Sequence, residues 1–275
     1  MSVQRGINMS LYESSDEYEV LIIVCENTLE GVFSGIYFAY EQKKSPKEIR
    51  LLVGEPKELL LFSRILYATP DAVKAQKVIR TICDKFGMNT YYQFCQALAT
   101  MDEERADAVY HAIVVGLSMK SPMQLMNHLA NDSVHKVFCL SRAVNNEILH
   151  MKGFLRFQEL EGGILFSKIG PKHDIVEFIM PHFSDRFQNQ NFMIYDETRK
   201  RLAIHPANQE WAFVDSDVQN IPSDDEISKH YVEGELEYQK LFQHFCDTIA
   251  IRERKNLFLQ RQMLPLRFRK NMTEF

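Results

Sequence analysis

"FLRFQELEGGILFSKIGPKHDIVEFIMPHFSDRF", Phe154 to Phe187, is where the hydrophobic period of this chain changes. Two short runs rich in apolar residues flank Glu161-Gly162-Gly163, and that pattern predicts a hairpin. Helical spacing then returns in "HDIVEFIMPHFSDRF", through Ile175, Phe178, Ile179, Phe183 and Phe187. "NFMIYDETRKRLAIHP" predicts a second hairpin, and "EWAFVD" a further strand. The second half thus reads as an antiparallel sheet with a helix packed across it. A polar connector, "SDVQNIPSDD", follows, and "EISKHYVEGELEYQKLFQHFCDTIAI" resumes a helix through Tyr238, Leu241, Phe242, Phe245 and Ile249.

Upstream of Gly153 the pattern is mainly helical. "EVLIIVCE" is a short buried strand by its length and β-branched content. It runs into a helix in which Asn27 and Glu30 have capping-box spacing. Thr69-Pro70 reads as the cap and first turn of the next helix, and Gly87 as its stop. Further helices follow in "NTYYQFCQALATMD", "EERADAVYHAIVVGLSM" and "SPMQLMNHL". A long one in "NDSVHKVFCLSRAVNNEILHMKGF" carries an apolar stripe of Val134, Val137, Phe138, Val144, Ile148 and Met151. The expected architecture is α+β. Residues 1–152 form a mainly helical part opened by a strand–helix unit. Residues 153–275 form an α+β part with a C-terminal helical segment, and the long helix is able to fasten the two together.

The 275 residues are 45% hydrophobic and 25% charged, enough to bury a sizeable core. The longest apolar run, Val20 to Cys25, is far too short to cross a bilayer, and the first residues lack the order of a signal peptide. Cys25, Cys83, Cys95, Cys139 and Cys246 lie far apart, which argues against a disulfide scaffold, a zinc ribbon or a resident iron–sulfur cluster. A cytoplasmic chain holding neither metal nor cofactor is expected.

Net charge is -5, yet the stretch from Ile249 to Phe275 is strongly cationic. Arg252, Arg254, Lys255, Arg261, Arg267, Arg269 and Lys270 alternate there with Leu257, Leu259, Met263, Leu264, Leu266 and Phe268. A disordered basic arm would be poor in such apolar residues. The segment reads as one that packs against the body while offering guanidinium groups to phosphates. Arg156, Arg186, Arg199 and Arg201 add donors, and Tyr195, Trp211 and Phe268 are candidate stacking groups. Among groups able to move protons, Glu147 and His150 stand one helical turn apart, and His173 and Asp174 precede the next helix. Asp174 also stands where an acid caps a helix N-terminus. No zincin, CxxC or nucleophile-elbow spacing is present.

These same residues resemble a bacterial family described as probable DNA metabolism proteins. The stretches that carry the resemblance are "NEILHMKGFLRFQEL", "PKHDIVEFIMPHFSDRFQNQNFMIYDETR" and "IAIRERKNLFLQRQMLPLRFRKNMTEF". Glu147, His150, Gly153, Phe154, Arg156 and Phe157 match its central motif. His173, Asp174, His182, Phe183, Arg186, Phe187, Asp196 and Arg199 match the next. Arg254, Asn256, Gln260, Pro265 and Arg267 match the last. The chain departs from the pattern at Glu26-Asn27 and at Phe268-Arg269, where Tyr-Trp is common.

The resemblance implies a protein encoded beside a radical SAM protein, and elsewhere joined to a uracil-DNA glycosylase domain. It implies a process, DNA repair or metabolism, and no reaction. The leading expectation is an accessory protein that binds DNA through Arg156, Arg186, Arg199, Arg254, Arg267, Arg269 and Lys270 and works with the radical SAM partner. One alternative is a base- or nucleotide-processing enzyme using Glu147, His150, His173 and Asp174. The other is a protein-interaction scaffold that does not bind DNA.

Overall fold

The structure, a computed structural model, describes residues 20–56, 61–214, 227–250, 252–272 and 274. The opening of the chain and the "SDVQNIPSDD" connector lie outside the described residues. Two units emerge from the pattern of contacts, 1–142 and 143–275, so the division falls inside the long helix.

In the first unit, β1 (Val20–Cys25) is the centre of a parallel sheet ordered β2-β1-β3, with β2 at Ile49–Val53 and β3 at Ser63–Tyr67. The opening is therefore more than a strand–helix unit. β1 is buried almost throughout because strands flank both its edges and α1 (Leu29–Glu41) packs on it. Thr28, rather than Asn27, caps α1, its side-chain oxygen accepting from the Gly31 amide. Asn27 instead accepts from the buried Arg105 guanidinium at 2.8 Å. Helix α2 (Ala72–Phe86) begins at Asp71, whose carboxylate caps Val73 and Lys74, so Thr69-Pro70 precedes the cap. Gly87, at φ 87°, ends α2 and opens α3 (Met88–Leu98), a left-handed conformation that glycine adopts without steric cost. Helix α4 is Arg105–Ser118; the "SPMQLMNHL" segment forms a 3-10 turn at Pro122–Asn127 instead of an α-helix. Phe33, Ile49, Leu51, Ile82, Phe94 and Leu125 are among the core side chains here, each fully buried one stabilising by about 1.5–3 kcal/mol.

Helix α5 (Asp132–Phe154) crosses the division. The second unit holds a five-stranded sheet ordered β4-β5-β6-β7-β8: Gln158–Leu160, Ile164–Ile169, Asn191–Asp196, Arg201–His205 and Ala212–Phe213. Both expected hairpins form. The sheet is nevertheless mixed, because β5 and β6 run parallel. Helix α6 (Val176–Arg186) is the crossover between them, and a strand–helix–strand link of this kind returns the chain in the same direction.

Alternation along the strands gives the sheet two different faces. One face presents Phe192, Ile194, Ala203 and His205 towards α6, where Phe157, Phe183, Phe187 and Phe192 form an edge-to-face cluster. The other presents Phe166 and Tyr195, which pack with Ile227. Helix α7 (Glu235–Ile249) follows, then two short helices, α8 (Leu257–Met263) and α9 (Leu266–Arg269). Of the apolar residues expected to line α7, Tyr238, Leu241, Phe245 and Ile249 are more than half exposed. Phe268 and Met272 are buried.

Candidate functional site

Some of the polar residues singled out in the sequence, Glu147, His173, Asp174, Arg199, Arg201 and Arg267, gather at the C-terminal ends of the parallel pair β5 and β6. In sheets with parallel strands this end is the usual place for a ligand. Here β5 leads through Gly170-Pro171-Lys172-His173-Asp174 into α6, and β6 leads through Glu197-Thr198-Arg199 into β7.

Two side chains fasten the first of these loops. Glu147, only 1% exposed on α5, accepts from the Lys172 amide at 3.0 Å and from the His173 amide at 2.9 Å. Arg267, from the terminal segment, closes on the same carboxylate at 3.2 Å. Arg199 grips the loop from β6, donating to the Pro171 carbonyl at 3.3 Å and the Lys172 carbonyl at 2.9 Å. Its own position is fixed by Asp196 at 3.2 Å, a fully buried carboxylate that also accepts the Thr198 and Arg199 amides. Burial pushes the Asp196 carboxyl above its usual range, and the Arg199 contacts offset part of that rise.

His173 is buried beside Glu147, and its Nδ1 has no hydrogen-bond partner among the described residues. Burial lowers its proton affinity most; Glu147 acts the other way, and Lys172, Arg267 and Arg199 reinforce the lowering. The neutral ring is therefore favoured. Asp174 does not cap α6, which starts after Ile175 with no side-chain cap; its carboxylate meets Arg201 at 2.9 Å and Arg199 at 3.9 Å.

The sequence-predicted proton-moving set is thus split. Glu147 and His173 meet, but both Glu147 oxygens already accept backbone donors, so that carboxylate is committed to holding the loop. His150 stacks on Phe154, centroids 5.6 Å apart, and meets Phe268 edge-on. Arg156 turns elsewhere, making a fork with Glu274 at 2.6 and 3.3 Å.

The expected phosphate donors also divide. Arg156, Arg199, Arg267 and Lys270 are ion-paired within the fold, Lys270 to Glu197 at 2.8 Å, while Arg269 is half-buried and reaches the Leu264 carbonyl at 3.4 Å. Arg186 is exposed over the Phe187 ring. Arg254, Lys255 and Arg261 are exposed and make no ion pair among the described residues. Of the candidate stacking groups, Tyr195 and Phe268 are buried, which removes them from base stacking, and Trp211 packs edge-on against Phe213.

Sequence reasoning passed over Glu197, Glu274 and Lys168. Isolated acids carry no motif, but Lys168 was legible: two residues beyond Phe166, it falls on the same sheet face. All five cysteines are free thiols, and burial pushes Cys25 up to about 12. Among the described residues no group of three or more His, Cys, Asp or Glu side chains is placed to hold a metal ion, and no helix is long and apolar enough to cross a membrane.

Residues 103–274 match the family described as domain of unknown function DUF4130. The chain belongs to this family. The DUF4130 match includes every site residue discussed above, from Glu147 to Glu274. No curated protein matches the chain. Two chains among the solved structures do. One, described as a member of the s1p family of ribosomal proteins, DHH domain, is 9% identical over 70% of this chain and 74% of its own, with a TM-score of 0.29. A likeness that loose carries no argument about fold or function.

Proposed function

We propose that this DUF4130 chain is a nucleic-acid-binding accessory protein of DNA repair or metabolism, acting beside a radical SAM partner that supplies the chemistry. One observation carries the binding part. Arg254, Lys255 and Arg261 are exposed and outside any described ion pair, and they alternate with Phe258, 72% exposed, Leu257 and Leu259. Cations interleaved with an exposed aromatic ring suit single-stranded nucleic acid, where phosphates meet charge and bases stack. The DNA context and the radical SAM partner rest on the family resemblance of the three long motifs. Glu147, committed to the loop, supports a binding role over a proton-transfer role for this region.

The test is a titration of single-stranded, duplex and uracil-containing DNA at several salt concentrations, with and without the radical SAM protein. Replacing Arg254, Lys255 and Arg261 together should weaken binding. It should also flatten the log–log salt dependence, by about 0.7 per lost contact on single strands and about 0.9 on duplex. An unchanged slope in the folded variant would sink the reading.

A further inference from the structure

The sheet face opposite α6 holds a cavity of about 300 Å³. Its floor is apolar, made by Phe166, Ile227 and Met272, each no more than 7% exposed. Gln158, directly opposite Phe166 across the β4–β5 pair, adds a side-chain amide, and Gln239 and Asn271 add two more. Three cations line the cavity, Arg156, Lys168 and Lys270, and among the described residues no aspartate or glutamate does. A larger cleft elsewhere in this unit, about 660 Å³, shows the contrast: Asp185 and Glu210 line it, with neither lysine nor arginine among the described residues.

The cations are not equivalent. Arg156 gives its fork to Glu274 and another nitrogen to the Gly153 and Leu155 carbonyls, so its donors are spent inside the fold. Lys168 and Lys270 differ. Both reach Glu197, Lys270 at 2.8 and 3.0 Å and Lys168 at 3.6 Å, so one carboxylate serves two ammonium groups. Glu197 itself lies outside the cavity lining. A lysine ammonium is a compact charge on a flexible stem and can turn from a shared carboxylate to an entering phosphate. A phosphate near neutral pH carries more charge than Glu197 and more acceptor atoms.

We propose that this cavity binds a nucleoside 5′-phosphate group, with Lys168 and Lys270 holding the phosphate and Glu197 keeping their place in the empty site. The size fits one nucleotide unit, at the small end of ligand sites of roughly 300–1,000 Å³. Amides that both donate and accept, as Gln158 and Asn271 do, suit the edge of a base, and Phe166 and Tyr231 supply apolar wall. The group arrives either as a free mononucleotide or as the 5′-phosphorylated end of a strand. None of Arg254, Lys255 and Arg261 lines the cavity, so this site goes beyond the proposed tail interface.

Calorimetric titration of the full chain decides between these sources. The probes are the four deoxynucleoside 5′-monophosphates, the matching nucleosides, inorganic phosphate, and a short thymidine strand with a 5′-phosphate or a 5′-hydroxyl. Saturable binding of a monophosphate assigns the free nucleotide; preference for the phosphorylated strand alone assigns the strand end. Lys168→Gln should weaken either by about tenfold or more, the loss of one charge-assisted hydrogen bond. Asn271→Ala should weaken it less, while Glu197→Gln should tighten it severalfold by removing the carboxylate charge that competes with the phosphate for Lys168 and Lys270. Replacing Arg254, Lys255 and Arg261 should leave mononucleotide binding unchanged, so the tail reading and this one can fail separately. The proposal is overturned if neither probe class binds, if nucleosides or inorganic phosphate bind as tightly as the monophosphates, or if Lys168→Gln and Glu197→Gln leave the affinity unchanged in folded protein.

Discussion

Arg267 sets its guanidinium 3.2 Å from Glu147, a carboxylate only 1% exposed. The contact ties the terminal segment to α5 and to the loop ahead of α6, since the same carboxylate accepts the Lys172 and His173 amides. Removing the acid strands two amides and one guanidinium. Glu147→Ala should therefore destabilise the second unit by about 3 kcal/mol, in the range for breaking a buried charge pair. Arg267→Ala should cost less, about 1 kcal/mol, because that side chain is half exposed and solvent screens it. Urea unfolding of both variants checks the order; a Glu147→Ala midpoint equal to wild type would refute the anchoring role.

His173 gives the second unit a dependence on acid. Its native proton affinity lies below the ordinary value of 6.5, chiefly through burial. As pH falls, the unfolded chain takes up this proton first, so stability is complete above about 6.5 and declines below it. Lys172, Arg199 and Arg267 repel the added charge, and Glu147 attracts it. His173→Gln should lose less stability than wild type between pH 7 and pH 5. Parallel curves for the two proteins across that window would exclude the effect.

The Arg156–Glu274 pair should behave as a buried strap. Both side chains are mostly covered, 26% and 8% exposed, and the contact is a two-bond fork. A double-mutant cycle with Arg156→Ala and Glu274→Ala should return a coupling of about 1–3 kcal/mol. Coupling within the error of the cycle would mean that the Arg156–Glu274 fork does not strap the tail, leaving that work to its other contacts such as Arg267–Glu147 and buried Phe268.

Gly116 on α4 faces Phe86 and Leu125, and a methyl group added there would stand 2.7 Å from the phenylalanine ring. Neighbours that close are part of a packed core and cannot easily retreat. Gly116→Ala should therefore destabilise the first unit by about 1–3 kcal/mol despite the better helix propensity of alanine. Thermal unfolding measures it, and a stabilised variant would show that the core has slack at this point.

Periodicity in the sequence reached the elements whose signal is local. β1, α6, both hairpins and the long helix follow from spacing and from turn residues such as Gly162-Gly163. β2 and β3 are five residues each and partly buried by pairing with β1, so their short runs offered little to count. The parallel β5–β6 pair was within reach, because a helix between two strands implies a crossover, but the hairpins on either side drew the reading towards an antiparallel sheet. The site was half legible. Glu147 and His173 stand out by type, yet the use of Glu147 depends on which amides fold against it, and sequence spacing does not encode that. The terminal cations were visible as a group. Their division into paired Arg267 and Lys270 and exposed Arg254, Lys255 and Arg261 was not, because the partners Glu147 and Glu197 come from distant parts of the chain.

The way the second sheet is covered also sets an order of events during synthesis. The first unit has its three described strands in place by Tyr67, and its sheet is completed by α4, where Asp107 accepts the Leu51 amide, well before the second unit is finished. The second cannot cover the face bearing Phe166 until Ile227 and Met272 have left the ribosome, nor close Glu147 until Arg267 has. Chains stalled with residues up to 250 outside the exit tunnel should thus resist protease in the first unit and be cut in the second. Release of some twenty further residues should bring protection of the sheet, because the cationic segment carries the contacts that close it.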